Sequence, residues 1–132
     1  MTDAVDICER ACDALRDAGM ADVRGTRMNA LSGKDGLVVR QMPPVTLARY
    51  MDGTRRVELR VQVVSKRLDP VEAMSDCERA ASALQDADLS SANGSYELVG
   101  APEVDGDTEQ LALDADLRHV FAVRLACQAT RQ

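Results

Sequence analysis

The alternation of apolar and polar residues is clearest between Arg55 and Lys66. Every second residue there is apolar, namely Val57, Leu59, Val61 and Val63, and the residues between them are Glu58, Arg60 and Gln62. A period of two is typical of a strand with one buried face and one face in water. We therefore predict a long strand, preceded by a hairpin turn at Asp52-Gly53 because glycine tolerates a positive φ.

Two segments have the spacing of amphipathic helices, with apolar residues three and four positions apart. Residues 3–18 form the first, and Gly19 is placed to end it as a cap. Residues 69–87 form the second, in which Asp69 caps the helix and Pro70 opens its first turn. The apolar faces are formed by Cys8, Ala11, Cys12, Leu15 and Ala18 in the first helix, and by Met74, Cys77, Ala81 and Leu84 in the second.

The remaining apolar segments predict shorter strands at 36–42, 45–51, 95–99 and 117–127, with a weak strand at 22–27. We expect Pro43-Pro44 to end the first of these, because proline donates no hydrogen bond to a neighbouring strand. The order α-β-β-β-α-β-β predicts one α+β domain over residues 1–132. It contains a mainly antiparallel sheet of four to five strands with both helices packed on one face.

Charge is distributed unevenly along the chain. The formal net charge is −6, of which residues 1–66 contribute +2 and residues 67–132 contribute −8. This acidic excess argues against duplex nucleic acid as the main ligand, because affinity for phosphates comes from Lys and Arg. The chain also has one Phe, two Tyr and no Trp, too few rings for a base-stacking platform.

The four cysteines match no paired zinc-binding spacing. Cys8, Cys12, Cys77 and Cys127 are therefore predicted to be small buried residues, with a metal or redox role as the alternative. No apolar run reaches the roughly 20 residues that span a membrane, and the N-terminus lacks the features of a signal peptide. We expect synthesis in a reducing cytoplasm.

The candidate catalytic and ligand-binding patterns are weak. His119 is the single histidine, and general acid–base catalysis would require an oriented partner for it. Gly33-Lys34 lacks the earlier glycine of a phosphate-binding loop, and the acidic segment around Asp105 lacks the order of an EF-hand. We predict no catalytic residues, no cofactor and no metal site.

Two charged groups are candidates for contacts between subunits. The basic group surrounds the long strand and consists of Arg55, Arg56, Arg60, Lys66 and Arg67. The acidic group lies in the carboxyl half and consists of Glu103, Asp105, Asp107, Glu109, Asp114 and Asp116. They form either ordinary solvated faces or complementary surfaces of neighbouring subunits.

The segments GLVVRQMPP, VTLARYMDG, RRVELRVQVVSK and LDPVEAMSDCERAASAL follow one another in an order that resembles a known family. The chain is similar to small phage proteins labelled minor capsid proteins, whose architecture is that of the tail terminator proteins of long-tailed phages. The resemblance covers nearly the whole chain and rests on the order and spacing of the elements, since Asp-Gly and Asp-Pro are common by themselves.

The resemblance implies a structural protein that forms a ring, usually a hexamer. Such a ring caps the tail tube and joins it to the head connector of the virion. The implied partners are further copies of the chain, the tail tube protein and the head connector protein, without a membrane. The acidic group would then face the channel, so that DNA passes without specific binding. The implied place of synthesis is the bacterial host cytoplasm.

Two other functions remain open from the sequence. One is a head-completion or other connector component, which would bind proteins on the portal side. The other is a small enzyme or ligand-binding module, which would need a pocket with convergent polar groups. In that case, His119 with Asp114 or Asp116 is the expected site.

Overall fold

A computed structural model describes residues 6–20, 23–25, 36–106, 108–113 and 119–131 of the chain. Two helices and seven strands form an α+β fold, which confirms the predicted class. In chain order the elements are α1 (Ile7–Asp17), β1 (Val23–Gly25), β2 (Gly36–Arg49), β3 (Arg55–Arg67), α2 (Pro70–Gln85), β4 (Glu97–Leu98), β5 (Glu103–Val104), β6 (Glu109–Leu113) and β7 (His119–Arg131).

The sheet has the order β1-β2-β3-β7, and β4, β5 and β6 pair in succession with the outer side of β7. The pairing of β1 with β2 is parallel and all other pairings are antiparallel. The number and order of the strands are roughly as predicted, and the short strands β5 and β6 arise because the acidic segment after Pro102 pairs with β7. A turn at Asp105-Gly106 lies between β5 and β6, with Gly106 at a φ of +87°.

Pro43-Pro44 does not end a strand, contrary to the prediction. The predicted strands 36–42 and 45–51 are one strand, β2, and its register with β3 shifts between Met42 and Val45. This part of β2 pairs with β3 on one side and with no described strand on the other. Prolines are tolerated at such an edge. Because the register with β3 is irregular at these two residues, the sheet does not require the hydrogen bonds that proline cannot donate.

Both helices are capped as their sequences predict. At the end of α1, the Gly19 N–H donates to the carbonyl of Arg16 and the Met20 N–H donates to that of Leu15. Gly19 has a φ of +94°, so this is the left-handed ending that favours glycine. At the start of α2, the Asp69 carboxylate accepts a hydrogen bond from the Val71 N–H at 3.0 Å, next to Pro70 in the first turn.

One hydrophobic core lies between the helices and the sheet. It contains the predicted helix stripes except Ala18 and Met74, which are exposed, together with the alternate residues of β3 and β7, including Val63, Val123 and Leu125. Both helices contribute to it, which confirms their predicted packing on one face. All four cysteines are buried, as predicted, and the Cys8 thiol donates to the carbonyl of Val39 at 3.1 Å, joining α1 to β2.

Candidate interaction surfaces

The five predicted basic contact residues do not lie on one surface. Because side chains alternate along β3, Arg56, Arg60 and Lys66 lie on the face opposite the helices. Arg55 and Arg67 have the opposite parity and lie at the two ends of the strand. The alternation therefore divides the group between two faces and both ends of β3.

Arg67 binds within its own chain. Its guanidinium Nε lies 2.6 Å from an Asp76 carboxylate oxygen, and the two side chains are 16% and 8% exposed. This pair holds the end of β3 against α2. A contact between subunits would therefore depend mainly on the other basic residues.

The face of the sheet opposite the helices carries arginines on three neighbouring strands. Gln62 lies between Arg40 of β2 and Arg124 of β7 in the register, and Arg60 is two residues from it along β3. Gln62 is only 6% exposed, and its side-chain oxygen accepts no hydrogen bond within the described part of the chain. Arg60 donates to the carbonyl of Pro43 at 3.2 Å across the irregular part of β2. This face therefore combines positive charge with a buried acceptor that has no partner among the described residues.

A row of three arginines crosses the end of the sheet. Arg49 of β2 pairs in register with Arg55 of β3, and Arg55 pairs with Arg131 of β7. Like charges directly opposite one another on neighbouring strands destabilise a sheet. In addition, the buried Nε of Arg131 has no hydrogen-bond partner among the described residues. An anionic partner would stabilise the guanidinium groups of Arg49 and Arg131, which have no ion pair with any described residue.

Exposed apolar side chains lie next to this row. We use the term hairpin patch for four residues of the free edge of β2 and the following turn: Val45, Leu47, Tyr50 and Met51. Their exposed fractions are 40%, 44%, 47% and 107%. Scattered exposed apolar residues are normal, but four exposed apolar residues within seven positions of one edge and its turn are typical of an interaction site.

The turn that presents the hairpin patch is held by local hydrogen bonds. The Asp52 carboxylate accepts from the Thr54 N–H at 3.0 Å and from the Thr54 hydroxyl at 2.6 Å. These two bonds lower the pKa of Asp52 despite a small opposing effect of desolvation. Gly53 has a φ of +90°, and the Tyr50 N–H donates to the carbonyl of Thr54. The tip is therefore an ordered turn, as the Asp52-Gly53 pair predicted.

The acidic group is only partly within the described residues. Glu103 begins β5, Asp105 follows it, and Glu109 begins β6, so all three lie along the outer side of β7. Asp107, Asp114 and Asp116 lie outside the described residues. Glu103 and Glu58 also line a cavity of about 250 Å³ beside Ala126. The orientation of this group towards a channel remains a prediction.

The predicted enzyme alternative depends on His119. His119 begins β7, and its Nδ1 lies 3.0 Å from the side-chain nitrogen of Gln110. No described carboxylate pairs with it, and its expected partners Asp114 and Asp116 lie outside the described residues. Within the described ranges, no three residues of the His, Cys, Asp or Glu types are placed to hold a metal ion.

Sequence reasoning missed most of the surface at the hairpin end. Arg49 and Arg131 are 82 positions apart, and only the strand register places them beside Arg55. Val45 and Leu47 were predicted to lie in a strand, but a strand prediction does not say that the strand has a free edge. The pair Pro43-Pro44 was the available signal, because prolines within a sheet are typical of edge strands.

Comparison with known proteins adds no further information about these surfaces. Neither a scan against protein-family models nor a search of curated proteins found a match to this chain. Among the described residues, no helix combines the length and apolar character needed to cross a membrane. The function is therefore inferred from the surfaces and from the order of the elements.

Proposed function

We propose that this chain is a structural assembly protein of the tail terminator or minor capsid type. It would form a ring that caps a phage tail tube and joins it to the head connector. The observation that carries this proposal is that Arg49 and Arg131, which have no ion pair with any described residue, lie at the same end of the sheet as the exposed hairpin patch. A surface of this kind gains free energy when another protein supplies anions and covers the apolar side chains.

The electrostatic part of the surface favours an acidic protein as its partner. Arg49 and Arg131 have no ion pair with any described residue, and arginine forms bidentate hydrogen bonds with carboxylates. The carboxyl half of the chain supplies carboxylates, including Glu103, Asp105 and Glu109 along β7. Further copies of the chain thus have the complementary charge, as a ring requires.

The ring architecture itself rests on the resemblance to phage tail proteins. The α+β fold and the order of its elements are compatible with that resemblance, and the hairpin preceding the long strand is present. A ring needs two different surfaces that meet in a heterologous contact. The basic hairpin end and the acidic outer side of β7 are two such surfaces.

Light scattering of the purified chain, with and without tail tube protein, tests this proposal. We expect a species larger than the monomer, or its formation when the tube protein is added. Its formation should weaken at high salt because exposed charges are screened. Met51→Asp should reduce assembly, whereas Leu68→Asp, at an exposed apolar position outside both proposed contact surfaces, should not. A monomer that ignores the tube protein under all conditions would contradict the proposal.

Affinity capture distinguishes this function from that of another connector component. The chain, immobilised through an added tag, is incubated separately with tail tube protein and with portal-side proteins. Retention of the tube protein is the expected result. Retention of portal-side proteins alone would instead favour a head-completion role.

A further inference from the structure

We propose that two copies of the free chain pair through the face of the sheet opposite the helices. Arg56 and Arg60 of each copy would lie over Glu97 and Glu103 of the other copy. Both copies use the same surface, so the contact is isologous and closes at two copies. It goes beyond the proposed function, whose ring needs two different surfaces.

The strand register places charges of both signs on this face. Arg56 of β3 and Glu97 of β4 pair in register with the same residue of β7, one from each side. Arg60 of β3 and Glu103 of β5 share a second β7 residue in the same way. The two shared residues are Thr130 and Ala126. Because directly paired residues have their side chains on the same face, the two arginines and the two glutamates all point away from the helices.

The described part of the chain does not neutralise these charges. None of the four side chains forms an ion pair with any described residue. The Nε atoms of Arg56 and Arg60 are buried and have no hydrogen-bond partner among the same residues. Each arginine is two strands from the glutamate of its row, or about 10 Å between Cα atoms. Side chains that point towards each other from two facing sheets bridge such a distance more readily than side chains that stand parallel on one sheet.

A twofold axis along β7 would bring the opposite charges together. Such an axis, lying between two facing sheets, exchanges the strands on either side of β7. The β3 strand of one copy then lies over β4 and β5 of the other, at the same positions along the strands. Arg56 therefore meets Glu97, Arg60 meets Glu103, and the symmetry repeats both pairs.

A cavity on this face has room for one of the arginines. Its volume is about 250 Å³, and its lining includes Glu58, Glu103, Ala126 and Gln128. Neither glutamate has an ion pair with a described residue. The twofold axis directs Arg60 of the second copy to this cavity. A guanidinium group there can form bidentate hydrogen bonds with a carboxylate.

The two copies of Arg124 would approach each other near the axis, and a neighbouring carboxylate offsets their repulsion. Asp105 follows β5, and its N–H donates to the carbonyl of Arg124 at 2.8 Å. This bond continues the register of β5 with β7 by one residue, so Asp105 lies beside Arg124 on the same face.

The accessible part of the face is small, so the pairing should be weak and reversible. Farther along β3, Gln62 and Val64 are only 6% and 1% exposed. The stretch from Arg56 to Arg60 spans about 13 Å along the strands, and four strands span about 14 Å across them. This is less than the roughly 800 Å² per partner of a standard interface. Because Glu103 also belongs to the acidic side proposed for the ring, the pair would compete with ring assembly.

Cross-linking of a single-cysteine variant tests the symmetry. Gln128 is exposed, lies on β7 on this face, and would approach its own copy across the axis. Gln128→Cys treated with a short bismaleimide should give a dimer and no larger species. In a ring contact, the same residue of neighbouring copies would not meet. Glu9→Cys, on the exposed side of α1, is the matched control and should stay uncoupled. The four native cysteines are buried and should not react.

Charge reversal followed by sedimentation equilibrium gives an independent readout. Arg60→Glu and Glu103→Arg should each weaken dimerisation by about tenfold, and the double variant should recover most of that loss. Glu9→Arg makes the same change of charge on α1 and should have little effect. Circular dichroism of each variant checks that the fold is retained.

The outcomes separate this inference from the proposed function. A dimer that neither cross-links through Gln128→Cys nor recovers in the double variant would overturn the twofold contact. A chain that stays monomeric at all concentrations would also overturn it. If that monomer forms larger species when tail tube protein is added, the proposed function is supported although the twofold contact is wrong.

Discussion

Arg67 and Asp76 join the end of the long strand β3 to helix α2 through an ion pair that is mostly removed from water. The Arg67 Nε donates to an Asp76 carboxylate oxygen at 2.6 Å, and the Ser65 hydroxyl donates to the same oxygen at 3.3 Å. Arg79 approaches the other oxygen at 3.8 Å. A buried carboxylate is tolerated in a protein when its oxygens have such partners.

Asp76→Asn should lower the free energy of unfolding by about 3 kcal/mol. Removing one partner of a buried pair leaves the other charge uncompensated, which is more costly than the loss of a surface contact. Urea denaturation followed by circular dichroism measures the change. Asp13→Asn is the matched control, because Asp13 is 54% exposed and contacts Arg10 and Arg16 at 3.6 Å. The control should lose less than about 1 kcal/mol, and equal losses in both variants would contradict the prediction.

Asp6 should make the stability of the protein sensitive to acid. Its buried carboxylate accepts hydrogen bonds from the Ser91 hydroxyl at 2.8 Å and from the N–H groups of Ala92 and Asn93 at 2.9 and 3.3 Å. Burial raises the pKa of Asp6, but these hydrogen bonds lower it by more, to below the ordinary value of 3.8. The ionised form therefore stabilises the folded state.

The sign of this effect follows from linkage. A pKa that is lower in the folded chain contributes stability above the unfolded pKa, and the contribution disappears as the pH falls through the folded pKa. Asp6→Asn should therefore be less stable than the wild type by about 1–3 kcal/mol at pH 7. The difference should shrink below about pH 4. Urea denaturation at a series of pH values measures it, and a difference that is independent of pH would contradict this assignment.

The four cysteines should be unreactive until the chain unfolds. Burial raises the pKa of Cys77 to about 12 and that of Cys127 to about 11. A hydrogen bond with Cys8 and burial also raise the pKa of Cys12. Because the thiolate is the reactive form, alkylation at pH 8 followed by mass spectrometry should show no modification of the native chain. In denaturant all four should react. Rapid labelling of any cysteine in the native chain would show that its thiol is not buried as described.

Gly53→Ala should lower stability by about 1–2 kcal/mol, because Gly53 has a φ of +90° that L-residues rarely adopt. An added Cβ would meet no atom within 4 Å, so the expected loss comes from the backbone alone. Gly100→Ala is the matched control, since its Cβ would also meet open space and its φ lies outside the positive range. Thermal unfolding of both variants should show a loss only for Gly53→Ala. A similar loss in both would mean that the turn does not depend on the positive φ.

Local patterns in the sequence predicted much of this fold because the relevant interactions lie within a few residues. The ending of α1 at Gly19 and the start of α2 at Asp69-Pro70 are capping interactions with near neighbours in the chain. The alternation along β3 correctly assigned Val57 and Val63 to the core, because successive side chains of a strand point to opposite faces.

The errors arose where pairing between distant segments decided the structure. Pro43-Pro44 ends a strand by local rules, but β2 continues because its paired side is held by β3 and its other side is an edge. Likewise, the segment 103–113 is rich in acidic and turn residues, which favour a loop. It forms β5 and β6 because β7 offers it a free edge.

The sequence by itself determined the α+β class, the two capped helices, the hairpin turn and the apolar face of the long strand. Each of these depends on the chemistry of residues that are neighbours along the chain. Only the tertiary structure decided that Arg49, Arg55 and Arg131 form one row beside the hairpin patch. Strand register is set by the packing of the whole sheet, so it can bring together residues whose spacing in the chain carries no sign of their contact.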